Sequence, residues 1–195
     1  MSSISALRDA HIKGLFGDHE GKNESELLRI SELKDFLIVQ IVKYKKSSIT
    51  NKDIKIDNLN LNDETLTVHC NSKTRILWNG PNNWLLISIN KEVLKEINEK
   101  LKETDFAITN LSHSRTIIQI EGKNTKEILK KGCPYNFNEL KNNNCLNSVY
   151  NGMSVTIDML EDKPDKIRIF TLRSFGESLY HSITDACLEY GYKNV

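Results

Sequence analysis

The stretch Thr109–Pro134, TNLSHSRTIIQIEGKNTKEILKKGCP, decides how the rest of the chain is read. Its middle, RTIIQIEG (115–122), is a β-branched run of strand length. Asn124 or Thr125 then opens a short helix whose apolar face is Ile128 and Leu129, and Gly132 is expected just past its end. The same stretch holds Ser112, His113, Ser114, Arg115 and Cys133, and so poses a choice between an active site and a structural frame. A nucleophilic serine needs a base within hydrogen-bond reach and a third group to orient that base. Neighbours on a strand point to opposite faces, which puts Ser112 and Ser114 on one side and His113 on the other. No G-x-S-x-G elbow exposes a hydroxyl. The stretch therefore reads as frame.

Working outward, FLIVQIVKY (36–44), FAITNL (106–111) and WLLISI (84–89) read as strands. DIKIDNLNL (53–61) alternates like a strand or an irregular edge. ETLTVHC (64–70) and KTRILW (73–78) flank Asn71-Ser72 as a hairpin, and NGPNN (79–83) is a turn. NKEVLKEINEKLK (90–102) is a helix with Asn90 at its start and Val93, Leu94, Ile97 and Leu101 on one face. NSVYNGMSVTIDMLE (147–161) folds back at Asn151-Gly152, and DKIRIFTLR (165–173) alternates as a half-buried strand. SFGESLYHSITDACLEYGY (174–192) is the third helix. It has a capping box of Ser174 and Glu177, a stripe of Phe175, Leu179, Ile183, Ala186 and Cys187, and Gly191 at its end. Strands outnumber helices and hairpins dominate, so the fold class is α+β with mixed or antiparallel sheets and three main helices. Residues 1–33 are weakly periodic and read as an N-terminal arm carrying Leu15 and Phe16. The main domain is 34–195, in two small lobes divided near residue 104.

Composition narrows the function. Lys and Arg number 27 and Asp and Glu 26, a formal net charge of +1. That balance argues against a nucleic-acid partner, which needs a basic face. No apolar run approaches the roughly 18 residues of a membrane span. Met1–Asp9 lacks a signal peptide's apolar segment, which gives a cytoplasmic expectation and four reduced thiols, Cys70, Cys133, Cys145 and Cys187. No C-x-x-C or H-x-x-x-H spacing points to a metal, and no G-x-G-x-x-G or G-x-x-x-x-G-K-[ST] points to a nucleotide. No catalytic, cofactor-binding or metal-ligating residue is assigned. Lys130, Lys131 and Arg173 lie at element ends and, with His113, Arg115, Leu15 and Phe16, are candidate partner contacts.

Four segments then carry a family resemblance: LWNGPNNWLL (77–86), NLSHSRTIIQIEG (110–122), KKGCPYNF (130–137) and LRSFGESLYHSITDA (172–186). In that order they resemble the gamma subunit of heterotetrameric sarcosine oxidase, over about Phe36–Ala186. The resemblance implies a fold like the folate-binding domain of glycine-cleavage aminomethyltransferase. It also implies a non-catalytic subunit assembled with alpha, beta and delta chains. FAD, FMN, NAD and tetrahydrofolate would sit on the other subunits. The implied complex demethylates sarcosine to glycine, makes hydrogen peroxide, and passes the one-carbon unit to tetrahydrofolate or releases it as formaldehyde. Two alternatives stand beside it. One is a free aminomethyltransferase-like enzyme, which is longer and uses an aspartate. The other is a stand-alone folate-binding module with K-G-C-Y-x-G-Q, of which KKGCPYNF keeps K-G-C.

Overall fold

A computed structural model describes residues 4–61 and 63–195. In chain order the elements are β1 (Gly14–Phe16), β2 (Leu28–Leu33), β3 (Leu37–Lys43), β4 (Lys55–Ile56), β5 (Leu59–Asn60) and β6 (Val68–Cys70). Next come β7 (Thr74–Gly80), β8 (Asn83–Ser88), α1 (Val93–Lys100), β9 (Phe106–Asn110), β10 (Arg115–Glu121) and α2 (Thr125–Gly132). The chain closes with β11 (Cys145–Tyr150), β12 (Met153–Asp162), β13 (Asp165–Leu172), α3 (Gly176–Cys187) and β14 (Tyr192–Asn194). The α+β class with three helices holds.

Two compact units form. One is Asp35–His113; the other joins the residues up to Lys34 to Ser114–Val195. The division therefore falls inside the stretch quoted first, at His113/Ser114, rather than near 104. Residues 106–113 stay with the inner unit because β9 pairs along β3 from Phe106 to Asn110.

The inner unit is an antiparallel sheet in the order β6-β7-β8-β3-β9. Alternate residues of its strands, Leu37, Val39, Ile41, Ile76, Trp84 and Leu86, meet Val93, Ile97 and Leu101 in one core. The spacing 93, 97, 101 is one face of a helix, so α1 buries the stripe read from sequence. Each such side chain, fully buried, contributes about 1.5–3 kcal/mol. Asn90 Oδ1 accepts from Glu92 N–H at 3.1 Å just ahead of α1. The run 53–61 is not one strand but the two-residue pair β4–β5. Asp57 and Asn58 both take positive φ (50° and 63°), the requirement of a tight hairpin turn. Asp57 then ties this hairpin to its neighbours. Its carboxylate accepts from Thr74 Oγ1 at 2.5 Å and Asn71 Nδ2 at 3.1 Å, and its N–H donates to Glu96.

The outer unit is a sheet in the order β1-β14-β2-β10-β13-β12-β11. All pairs are antiparallel except β14–β2. RTIIQIE of the opening stretch is β10, between β2 and β13. Ile118, Ile120, Ile157, Met159, Ile167 and Ile169 pack with Leu129 of α2 and Leu179 and Ile183 of α3. The β11–β12 hairpin turns at Asn151 (φ 46°) and Gly152 (φ 81°), as its Asn-Gly pair requires.

Four details depart from the sequence reading. Residues 1–33 are not a loose arm: β1 and β2 pair in the sheet, and Leu7, 1% exposed, fills the core. Gly132 is the last residue inside α2, without the left-handed backbone of a helix stop. A Cβ there would lie 2.7 Å from the Tyr150 ring, so glycine answers a packing demand. The capping box does not form. Arg173–Phe175 makes a turn of 3-10 helix first, and no side chain caps α3 at Phe175, which is 41% exposed rather than in the stripe. Finally, the chain continues past Gly191 (φ 73°) into β14, a strand too short for periodicity to signal.

Candidate functional site

Ser112 and Cys133, two of the groups that suggested chemistry, have structural occupations. Ser112 lies in the turn after β9, not on a strand. Its hydroxyl accepts the Ile38 N–H at 3.0 Å and donates to Asn110 Oδ1 at 2.7 Å, which closes that turn. A serine holding both bonds is not presented to a base. Cys133 Sγ donates to Ser148 Oγ at 3.1 Å, and burial raises its thiol pKa. Burial pushes the Cys187 thiol up to about 12. Both cysteines stay protonated and unreactive near neutral pH. Among the described residues no group of three or more His, Cys, Asp and Glu is placed to hold a metal, and no helix is long and apolar enough to cross a membrane.

The candidate contact residues separate. Phe16 stacks on Tyr192 (centroids 5.3 Å, 21° between planes) and packs on its own core, while Leu15 beside it on edge strand β1 is 45% exposed. Lys131 is not a free charge. Its Nζ donates to the Ala186 carbonyl at 2.6 Å, pairs with Glu189 Oε1 at 2.5 Å and sits 5.1 Å over the Tyr190 ring. It ties α2 to the end of α3, where a cation also suits the helix dipole. The same bond holds the Glu189 carboxyl below its usual range. Lys130 pairs with Glu127 at 2.6 Å.

Arg115 and Arg173 come together. Arg115 lies opposite Leu172, and the Arg173 N–H donates to the Ser114 carbonyl at 2.9 Å. The Arg173 guanidinium donates to the Ile4 carbonyl at 2.6 Å, so it fastens the N-terminal segment. Arg115 is half-buried and donates to Ser114 oxygens at 3.3 Å; burial lowers its pKa. His113 is exposed in the turn before β10.

The N-terminal segment is held at further points. Ser5 Oγ and Ala6 N–H donate to Glu32, and Asn194 Nδ2 donates to the Ile12 carbonyl at 2.8 Å and to Tyr180 Oη at 2.6 Å. His11 lies edge-on to Tyr180 at 5.6 Å.

One concavity was not foreseen. It holds about 430 Å³ between the end of α1 and edge strand β9, lined by Leu94, Asn98, Leu101, Glu103, Phe106, Ile108 and Asn110. Leu94 and Ile108 are partly buried beside the core. The signal in the sequence was FAITN itself, a strand free of charge and proline.

Comparisons with known proteins complete the picture. The family model described as sarcosine oxidase, gamma subunit family, matches residues 55–189. A chain of the heterotetrameric sarcosine oxidase from Corynebacterium sp. U-96, solved in complex with pyrrole 2-carboxylate, is similar at 22% identity and TM-score 0.77. The match covers 86% of this chain and 87% of that one. The glycine cleavage system aminomethyltransferase T from Bartonella henselae is similar in fold at 10% identity and TM-score 0.59, over 82% of this chain and 46% of that one. Among curated proteins none matches.

Proposed function

Because the chain belongs to the sarcosine oxidase gamma subunit family, we propose that it serves as a non-catalytic subunit of a cytoplasmic assembly with alpha, beta and delta chains. That assembly oxidatively demethylates sarcosine to glycine, with hydrogen peroxide as a product. The one-carbon unit passes to tetrahydrofolate or leaves as formaldehyde. FAD, FMN, NAD and the tetrahydrofolate site lie on the other subunits. The family match over 55–189 is the observation that carries this reading. It is supported by the engagement of Ser112, Cys133 and Lys131 in the chain's own fold, which leaves surface rather than chemistry for function.

The test is co-expression with the alpha, beta and delta chains followed by gel filtration. The chain is expected to co-elute with them. Alone, it is expected to show no flavin absorbance and no peroxide from sarcosine. Elution apart from an enzyme that keeps its full flavin content and activity would refute the reading, as would turnover by this chain alone.

A further inference from the structure

Strand β9 ends its sheet, and its hydrogen bonds define what is left over. Tyr44 N–H donates to the Asp105 carbonyl and Leu111 N–H to the Ile38 carbonyl, each at 2.8 Å. The register pairs Ile41 with Ile108 and Val39 with Asn110. In an antiparallel ladder, bonded and non-bonded pairs alternate. Residues 105, 107, 109 and 111 therefore aim their backbone groups at β3, while 106, 108 and 110 aim theirs away. The Phe106 N–H is taken by the Lys102 carbonyl at 2.9 Å. Among the described residues, nothing pairs with the N–H and C=O of Ile108. The side chains of these outward-bonding residues, Phe106, Ile108 and Asn110, line the 430 Å³ groove against Leu94, Asn98 and Leu101 of the α1 side.

Edge strands are ordinarily protected by lysine, proline, a bulge or brevity. β9 has five residues, FAITN, and pairs with β3 without a register shift. The only charge on the groove wall is Glu103, which is exposed and makes no ion pair among the described residues. From this geometry we infer that β9 receives an extended segment of a partner subunit, added as a sixth strand. The segment carries apolar side chains at alternate positions and a lysine or arginine opposite Glu103. A strand added about 4.8 Å beyond β9 bonds to Ile108 and places every second side chain over Leu94 and Ile108. The inference rests on the gamma-subunit reading, since that supplies the partner.

The experiment uses the full chain co-expressed with the alpha, beta and delta chains. Ile108→Pro removes a donor that β3 does not use, and proline is tolerated on the open side of an edge strand. Ile108→Thr keeps the donor and serves as its control. Circular dichroism establishes that each variant is folded. Ile108→Pro is expected to weaken assembly at least about tenfold and Ile108→Thr much less, while Glu103→Lys weakens it most at low salt. In the wild-type complex, amide exchange at Ile108 and Asn110 is expected to slow relative to the free chain, a readout that survives misfolding of the proline variant. Unchanged exchange at both amides, or assembly of folded Ile108→Pro at wild-type strength, overturns the inference and leaves the subunit reading intact. A dimer of the free chain that Ile108→Pro abolishes makes the occupant a second copy and also overturns it. Failure of the wild-type chain to co-elute refutes both.

Discussion

Replacing Gly132 with alanine opposes two rules of known size. Gly132 has ordinary helical backbone at the end of α2. Helix propensity alone makes Gly132→Ala stabilising by about 1 kcal/mol. The new Cβ, however, would lie 2.7–2.8 Å from three atoms of the Tyr150 ring, well inside van der Waals contact. That ring is 0% exposed and cannot swing into solvent, and its hydroxyl donates to the Ile128 carbonyl at 3.1 Å. Overpacking a rigid core site costs about 1–3 kcal/mol, with close ring contacts at the upper end. Displacing the ring also forfeits a buried hydrogen bond worth about 1 kcal/mol. The net expectation is a loss of about 2–3 kcal/mol. For a chain of this size that lowers Tm by roughly 4–12 °C. Urea and thermal unfolding followed by circular dichroism measure it. Gly152→Ala is the matched control, with open space around its Cβ and only a positive φ to strain, for a cost of about 1 kcal/mol. A neutral or stabilised Gly132→Ala would refute the packing account and restore propensity as the governing rule.

Burial holds the His11 imidazole below its usual 6.5, so the native state prefers it neutral. The stability it supports is complete above pH 6.5 and is lost as pH falls through the lower native value; unfolding curves between pH 7.5 and 5, roughly the span of this titration, should slope less in His11→Gln. The groups facing His11 are the Ile30 carbonyl, Glu32, Lys13, Lys34 and Tyr180, and an equal slope in the variant would assign the dependence elsewhere. Lys131→Met should cost about 1 kcal/mol, because it removes a bond to a helix-end carbonyl and an exposed ion pair, while Glu189→Gln costs less. Equal losses in the two variants would mean that the Ala186 bond contributes nothing. Thiol titration of the folded chain should find Cys70 reactive first and Cys133, Cys145 and Cys187 slow, with four free thiols once denatured without reductant. A count of two in the denatured chain would mean a disulfide.

Where a residue's neighbours lie within one turn or one strand, the sequence was readable. The stripe Val93, Ile97, Leu101 and the Asn151-Gly152 turn need nothing beyond local geometry. Reading failed where the deciding partner is distant in the chain. Gly132 is set by Tyr150, eighteen positions on, and looks from nearby like a helix stop. Ser174 and Glu177 have capping-box spacing, but the 3-10 turn brings Gly176 against Thr116, where a Cβ would lie 2.6 Å from Oγ1. That contact also accounts for a glycine that costs helix propensity. Lys131 looked like a surface charge because its acceptor, the Ala186 carbonyl, is 55 residues away. The N-terminal residues lacked periodicity because they enter the sheet as short strands, β1 and β2, on either side of β14, which is itself only three residues long.

The placement of the candidate contact residues bears on function. Lys131 and Phe16, read as candidate partner contacts, also engage the chain's own helix end and core. Arg173 spends its guanidinium on the Ile4 carbonyl. Beside the exposed Leu15 and His113, the fold leaves backbone groups outward at Ile108, which no list of reactive or charged side chains can reveal. A surface made of backbone donors and acceptors selects an extended segment by its main chain and tolerates wide variation in side chains. Hydrogen exchange at single amides is therefore the measurement best matched to this surface, because alanine substitutions leave its main-chain bonds in place.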